Sequence, residues 1–301
     1  MHPDLLLQYL RKKQITDNRK HFEKKNLNYP VDSLYDINYM NDANPYHNLD
    51  IHSPHDVTEE LPVLMVIHGG GYTQCDKCIN DVYCKMFATK GYRVININYT
   101  LQPEAEFMEV MREIFTALYW IETNAKAYRF DCSRLFVTGD SAGGHYALLV
   151  AAIQNSVQLQ AYYSIRPVRS GIQGVVANCP MTELYTAKDG KDATSRFLRK
   201  YVLREKAKDE TYIKNLSIPY ILDKTDLSDV MIITTPTDPL LYDEVRRLHE
   251  ILTEAGVTHI YKEYEGKEHQ LGHVFSVLDP DWEESQIACA DMHAYFMNCP
   301  N

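Results

Sequence analysis

Four stretches of the chain are apolar without a break: Val63-Leu-Met-Val-Ile67, Leu135-Phe-Val137, Val175-Val-Ala177 and Val230-Met-Ile-Ile233. Runs of this kind suit strands buried on both faces, as in a parallel sheet. Tyr92 to Asn98 reads as a further strand and Ile260 to Tyr264 as the last one. Between them the apolar period changes to that of a helix. Phe107, Val110, Ile114, Leu118 and Ile121 share one face, as do Leu241, Val245, Leu248 and Leu252, a run that stops at Gly256. Tyr146 to Ile153 is apolar all round and predicts a buried helix, and residues 283 to 297, with Ile287, Met292, Tyr295 and Phe296, predict a closing one. Ahead of the first run, Leu34 to Tyr39 and Asn48 to His52 alternate apolar with polar around an Asn44-Pro45 turn, the pattern of an antiparallel pair at a sheet edge.

Two segments stand outside this alternation. Residues 4 to 25 predict an amphipathic helix with Leu6, Leu10 and Phe22 among many charges, and Met181 to Ser228 is Lys- and Asp-rich with a helix expected from Thr194 to Arg204. We read the stretches 1 to 40 and 181 to 228 as a helical cap over one end of a mostly parallel, doubly wound α/β sheet. The whole chain, 1 to 301, then forms a single domain.

Composition narrows the partners. Lys plus Arg number 31 against 41 Asp plus Glu, a formal charge of −10, which gives no general attraction to nucleic acid or anionic lipid. No apolar run is long enough to span a bilayer, and the positive charges at the N-terminus follow the apolar residues, opposite to an export signal. Seven cysteines, an odd number, then predict reduced thiols and a cytoplasmic location. Cys75-Asp-Lys-Cys78 has no second Cys or His pair at zinc-site spacing, so neither a metal nor another cofactor is expected. The expected partner is a small-molecule substrate; homo-oligomerisation is left open.

The candidate chemistry lies at strand ends. Gly139-x-Ser141-x-Gly143, between the Leu135 strand and the Tyr146 helix, has the form of a nucleophile elbow. A serine hydroxyl needs a base, a carboxylate to orient that base, and donors for a developing oxyanion. Asp238, just past the Val230 strand, is the candidate carboxylate, although the same position suits an N-cap. Two histidines follow the last strand, His269 in a charged run and His273 in Leu271-Gly-His-Val-Phe275. We favour His273, because Gly272 frees the loop to aim it and Val-Phe can anchor it. The N–H groups of Gly70, Gly71 and Ala142 are the candidate oxyanion donors, each worth about 3 to 4 kcal/mol in the transition state. His68 and Asp140 read as groups that order the glycine loop and the elbow, and Tyr72 as a substrate contact.

Together, His68-Gly-Gly-Gly71-Tyr72, Gly139-Asp-Ser-Ala-Gly143-Gly144, Asp238-Pro-Leu240 and His273-Val-Phe275 resemble the hormone-sensitive-lipase-like branch of the α/β-hydrolase esterases. Asn98-Tyr-Thr-Leu-Gln-Pro-Glu104 is similar to the family's loop after the next strand, and the resemblance covers residue 45 to the end. It implies an α/β-hydrolase fold and hydrolysis of short-acyl carboxylic esters through an acyl-enzyme, without a cofactor. Met108 stands where the family often has proline. The family's Tyr-x-Gly-x-x pattern leads to His269, whereas its His-x-Phe pattern leads to His273. Two alternatives accompany this reading: a carbohydrate or xenobiotic deacetylase on the same fold, and a non-catalytic hydrolase-like binding protein.

Overall fold

A computed structural model describes residues 3–25, 27–227 and 230–299. Residues 1, 2, 26 and 228 of the expected cap, and the side chain of Leu6, lie outside the described part. The apolar runs all form strands: β1 Val31–Asn38, β2 Asn48–Pro54, β3 Leu61–Ile67, β4 Arg93–Ile97, β5 Phe130–Asp140, β6 Gly174–Asn178, β7 Val230–Thr234 and β8 His259–Glu263. They make one sheet in the order β1-β2-β4-β3-β5-β6-β7-β8, antiparallel across β1, β2 and β4 and parallel from β4 to β8.

The helices are α1 Pro3–Lys25, α2 Asp81–Ala88, α3 Phe107–Tyr128, α4 Ala142–Gln154, α5 Val157–Tyr163, α6 Ala193–Leu198, α7 Glu210–Asn215, α8 Tyr242–Glu254, α9 Phe275–Leu278 and α10 Glu283–Asn298. Because successive strand residues point to opposite faces, β3 divides between two cores. Val63, Met65 and Ile67 pack with α3, α4 and α8, while Leu64 and Val66 pack with α2 and α10. A run that alternated apolar with polar could have filled only one of them. The last strand is different: Ile260 is 40 % exposed, as an edge strand allows.

Register then gathers the strand ends. Ile67 pairs with Ile97 on one side and with Gly139 on the other, Asp140 with Asn178, and Thr234 with Glu263. The chain leaves β3 for β4 and returns to β5 on the opposite side, so the topological switch point lies at β3, where doubly wound sheets form their crevice. The glycine loop after β3 and Ser141 after β5 are therefore neighbours by topology.

Three expectations change in detail. Residues 31–38, assigned to the cap stretch, pair with β2 as the sheet edge, because their exposed outer edge needs only one partner strand. The helix expected from Thr194 to Arg204 is present over Ala193 to Leu203, continuous through α6 with its last turn widened over Arg199–Leu203, and a tighter turn follows over Arg204–Lys208. In α1 the inward stripe mixes apolar with polar residues: it starts at buried Leu7 and continues through Arg11, Gln14, Asn18, Phe22 and Lys25, all half-buried, as is Leu10 beside it. Polar contacts hold this helix. At one end Arg11 donates to the Thr73 and Gln102 carbonyls and pairs with Glu104 at 2.7 Å. At the other, Lys25 reaches Asp279 at 2.9 Å and Asp281 at 2.5 Å, and His21 lies 3.0 Å from Asp279.

Candidate active site

Ser141 sits at φ 53°, ψ −118°, a sparsely populated conformation for any residue with a side chain. Its surroundings hold it there: its N–H donates to the Asn178 carbonyl at 2.9 Å, and its own carbonyl accepts from Met181 at 3.1 Å. The reversal is so tight that a Cβ on residue 143 would run into the Ile67 and His68 carbonyls, which explains the glycine there. The serine hydroxyl is thereby lifted off the sheet at the head of α4.

His273, in the loop after β8, places Nε2 2.9 Å from Ser141 Oγ and Nδ1 2.8 Å from Asp238 Oδ2. The Asp238 side chain is fully buried, and its second oxygen accepts the N–H groups of Leu240 at 2.8 Å and Leu241 at 3.2 Å. Burial alone would raise its pKa. The His273 hydrogen bond and charge, with the two backbone donors, outweigh burial and hold the carboxyl below its usual range. An ionised carboxylate facing Nδ1 keeps the proton on that nitrogen and turns the lone pair of Nε2 toward the serine. The Leu240 and Leu241 contacts close the turn ahead of α8, whose N-cap is Leu241 without a side-chain cap, so Asp238 does not fill the N-cap role weighed from sequence.

His269 is elsewhere. Its Nδ1 lies 3.0 Å from Glu284 Oε2, and its ring stacks on Trp282 with centroids 4.3 Å apart. Glu284 also accepts the N–H groups of Lys267 and Glu268; the His269 bond first and then these donors hold its carboxyl well below the usual range. The ring pins the loop that carries His273 and makes no bond to Ser141.

The glycine loop is tied to the elbow by Asp140. Its two oxygens accept the Gly69 N–H at 3.1 Å and the Asn80 side-chain amide at 3.0 Å. Full burial pushes its pKa up to about 6 despite those donors. His68 stacks on Tyr99 at 4.3 Å, and the Tyr99 hydroxyl donates to the His68 carbonyl at 2.7 Å, fixing the loop's start. Gly70 adopts φ +114°, and a Cβ there would strike the Gln74 carbonyl. Among the described residues the N–H groups of Gly70 and Gly71 have no acceptor. That of Ala142, the first of α4, has no intrahelical one. All three donors expected from sequence thus retain an unused hydrogen beside Ser141.

Tyr72 corrects the sequence expectation. Its ring is fully buried against Phe107 and Tyr146, and its hydroxyl bonds His145 Nδ1 at 2.7 Å, so its side chain serves the core and not a substrate. His145 is fully buried among the apolar residues of α4, and burial lowers its pKa to about 3.

A cavity of about 420 Å³ opens over Ser141 and His273. Gly70, Gly71 and Cys75 line it from the β3 loop, Met181 and Thr194 from the 181–227 segment, Leu240 and Leu241 after β7, and Gln14 and Asn18 from α1. Several of these contributions were not foreseen. Cys179, directly after β6, places its thiol with the Asp238 and His273 side chains so that one ligand atom of each lies within 4.8 Å of the others. Two of the three already serve the hydrogen-bonded chain to Ser141, which accounts for the grouping without an ion. Position at a strand end was the available signal for Cys179. For Gln14 and Asn18 it was their common helical face with Arg11. Cys75 and Cys78 carry free thiols, one buried and one exposed, and burial pushes both pKa values up.

This sheet, with a strained serine at its switch point, defines an α/β-hydrolase. Comparison with known proteins narrows the class. The BD-FAE family model matches residues 49–252, and the chain belongs to that family, within the hormone-sensitive-lipase-like carboxylic ester hydrolases. Esterase B from Lactobacillus rhamnosis has a similar structure, with a TM-score of 0.88 and 26% identity over 97% of this chain and 95% of that one. Carboxylesterase NlhH of Mycobacterium tuberculosis is 28% identical over 216 residues, 69% of this chain and 66% of the relative. Hormone-sensitive lipase of Mus musculus is 28% identical over 138 residues, 44% of this chain and 16% of that lipase. Among the described residues no helix is long and apolar enough to cross a membrane.

Proposed function

We propose that the protein hydrolyses short-acyl carboxylic esters with Ser141 as nucleophile, His273 as general base and acid, and Asp238 as the carboxylate that orients His273. The observation that carries this reading is the unbroken chain Ser141–His273–Asp238 at 2.9 and 2.8 Å. His273 Nε2 takes the hydroxyl proton as Ser141 Oγ attacks the ester carbonyl. The oxygen that becomes negative meets the N–H groups of Gly70, Gly71 and Ala142, whose stabilisation of the developing charge is the main gain in the transition state. Collapse expels the alcohol, which leaves with the proton held on His273. Water then attacks the acyl-enzyme by the same route, releasing the acid and restoring Ser141.

Met181, Leu240 and Leu241 give the cavity an apolar wall beside the elbow on which an acyl chain can lie, and the short chain length is what the family resemblance implies. Supporting it, Esterase B, at 26% identity, has been solved with a C4-C4 tributyrin phosphonate. In this reading α1 and the 181–227 segment act as the cap. Labelling with a fluorophosphonate, followed by peptide mass analysis, tests the proposal. Modification at Ser141, lost in Ser141→Ala, supports it; an unlabelled Ser141 in folded protein refutes it. A p-nitrophenyl acetate-to-octanoate series tests the chain length, with kcat/KM expected to peak between acetyl and butyryl.

A further inference from the structure

We propose that Asn178, the last residue of β6, is a positioning residue that holds His273 at working distance from Ser141. The inference rests on the serine-esterase reading and adds the residue that sets the nucleophile against its base. The Asn178 carbonyl accepts the Ser141 N–H at 2.9 Å, and its side-chain amide donates to the hydroxyl of Ser276, which lies just past His273 in α9. One residue thus grips the elbow with its backbone and the histidine loop with its side chain. Strand register fixes the first grip, because Asp140, directly before the serine, pairs with Asn178 across the sheet.

His273 lies outside the sheet, in the loop between β8 and α9, and Val274 beside it has φ 52°. A β-branched residue takes that left-handed conformation only where its surroundings impose it. Two hydrogen bonds flank the imidazole and hold the loop. Thr237, the residue before Asp238, donates its hydroxyl to the Leu271 carbonyl at 2.7 Å, and Asn178 holds Ser276 on the far side. The first anchor sets the imidazole against the carboxylate, and the second sets it against the serine. Stability alone does not account for the second anchor. Val175, Val176 and Ala177 are apolar, and Asn178 and Ser276 are both buried. Withdrawing two polar side chains from water is unfavourable and is offset here by their mutual bond, whereas two apolar groups of the same shape would pack there at no such cost. What the polar pair supplies instead is direction: it links one point of the histidine loop to the strand end that also holds Ser141.

The test compares Asn178→Leu, close in shape but without the amide, and Ser276→Ala with the wild-type chain on p-nitrophenyl butyrate. Each should lower kcat and kcat/KM by a similar factor, about 10- to 100-fold, the effect of a base displaced by up to about 1 Å, with KM held within about 2-fold. The double variant should be no slower than the slower single one, because both substitutions remove the same bond. Ser156→Ala removes a buried hydroxyl bond to the Lys224 carbonyl, away from the cavity, and should lower Tm while leaving kcat unchanged. Should Asn178→Leu misfold, shown by its circular dichroism melt, Ser276→Ala, which deletes a single oxygen, must still show the loss. A folded Ser276→Ala with wild-type kcat, losses that multiply in the double variant, or an equal kcat loss in Ser156→Ala overturns the inference alone. A wild-type chain inert toward p-nitrophenyl butyrate and unlabelled by a fluorophosphonate overturns the esterase reading and this inference with it.

Discussion

Replacing Asp140 by Asn should change the pH dependence of stability in a direction opposite to that of an ordinary acid. Burial lifts the Asp140 pKa from 3.8 to about 6. The folded chain therefore keeps a proton that the unfolded chain has already lost, and stability falls as pH rises through that window. A shift of about two units corresponds to about 3 kcal/mol of destabilisation at pH 8, reduced to about 1 kcal/mol at pH 4.5, where Asp140 is protonated in the folded state. Asparagine resembles the protonated acid. Its oxygen can still accept from Gly69, and its amide can donate to Asn80 Oδ1, a buried atom without a partner among the described residues, once the Asn80 carboxamide turns. Asp140→Asn should thus gain about 2 kcal/mol on the wild type between pH 4.5 and pH 8, whatever its constant offset. Urea unfolding of both proteins at the two pH values measures this, and the comparison cancels every group they share. An offset that stays constant with pH would refute the reasoning, because it would mean that Asp140 does not titrate differently in the two states.

Further expectations follow from the same geometry. His273→Ala should lower kcat on p-nitrophenyl butyrate by at least about 10³-fold, whereas His269→Ala should retain activity and lower Tm by a few degrees through the lost Trp282 and Glu284 contacts; steady-state kinetics and calorimetry separate the two. Gly70→Ala places a methyl against the Gln74 carbonyl at a φ that favours glycine, and kcat should fall by about 10²-fold or more as the two loop donors move. Arg11→Ala removes the N-terminal fastening of α1, so trypsin should cut at Lys12 and Lys13 faster than in the wild type; equal cleavage rates would show that the helix is held by other contacts.

The sequence carried the sheet and the elbow because each has a local requirement. A strand buried on both faces needs an unbroken apolar run, and β3 shows how both sides of it are used. The elbow needs a residue without Cβ where β3 carbonyls approach, which leaves Gly143 visible in the chain. What was not legible depended on partners far away in sequence. The difference between His269 and His273 lies in Trp282, Glu284 and Asp238, none of which the local patterns around the histidines specify. Tyr72 follows the glycine loop as a substrate contact would, yet its φ of 67° and the buried His145 acceptor turn it inward. Helix α1 was legible in its span and in Leu10 and Phe22, which are half-buried, whereas its polar contacts were not, because Arg11 and Lys25 find their partners in distant loops.

Two buried carboxyl groups near the imidazole have opposite fates, and the contrast says which one serves the proposed chemistry. Asp238 and Asp140 are both withdrawn from water and both accept backbone or amide hydrogens. Burial raises both. Only Asp238 also touches the imidazole, at 2.8 Å, and only its pKa ends below the usual carboxylate range, while that of Asp140 ends near 6. A carboxylate that stays ionised in contact with Nδ1 is the one able to stabilise the imidazolium formed when Ser141 loses its proton. A carboxyl group that titrates near 6 and points at Gly69 and Asn80 can instead fix the glycine loop in either protonation state. Environments that push two neighbouring acids apart assign their roles more sharply than distance to the serine does, since Asp140 is the residue directly before it.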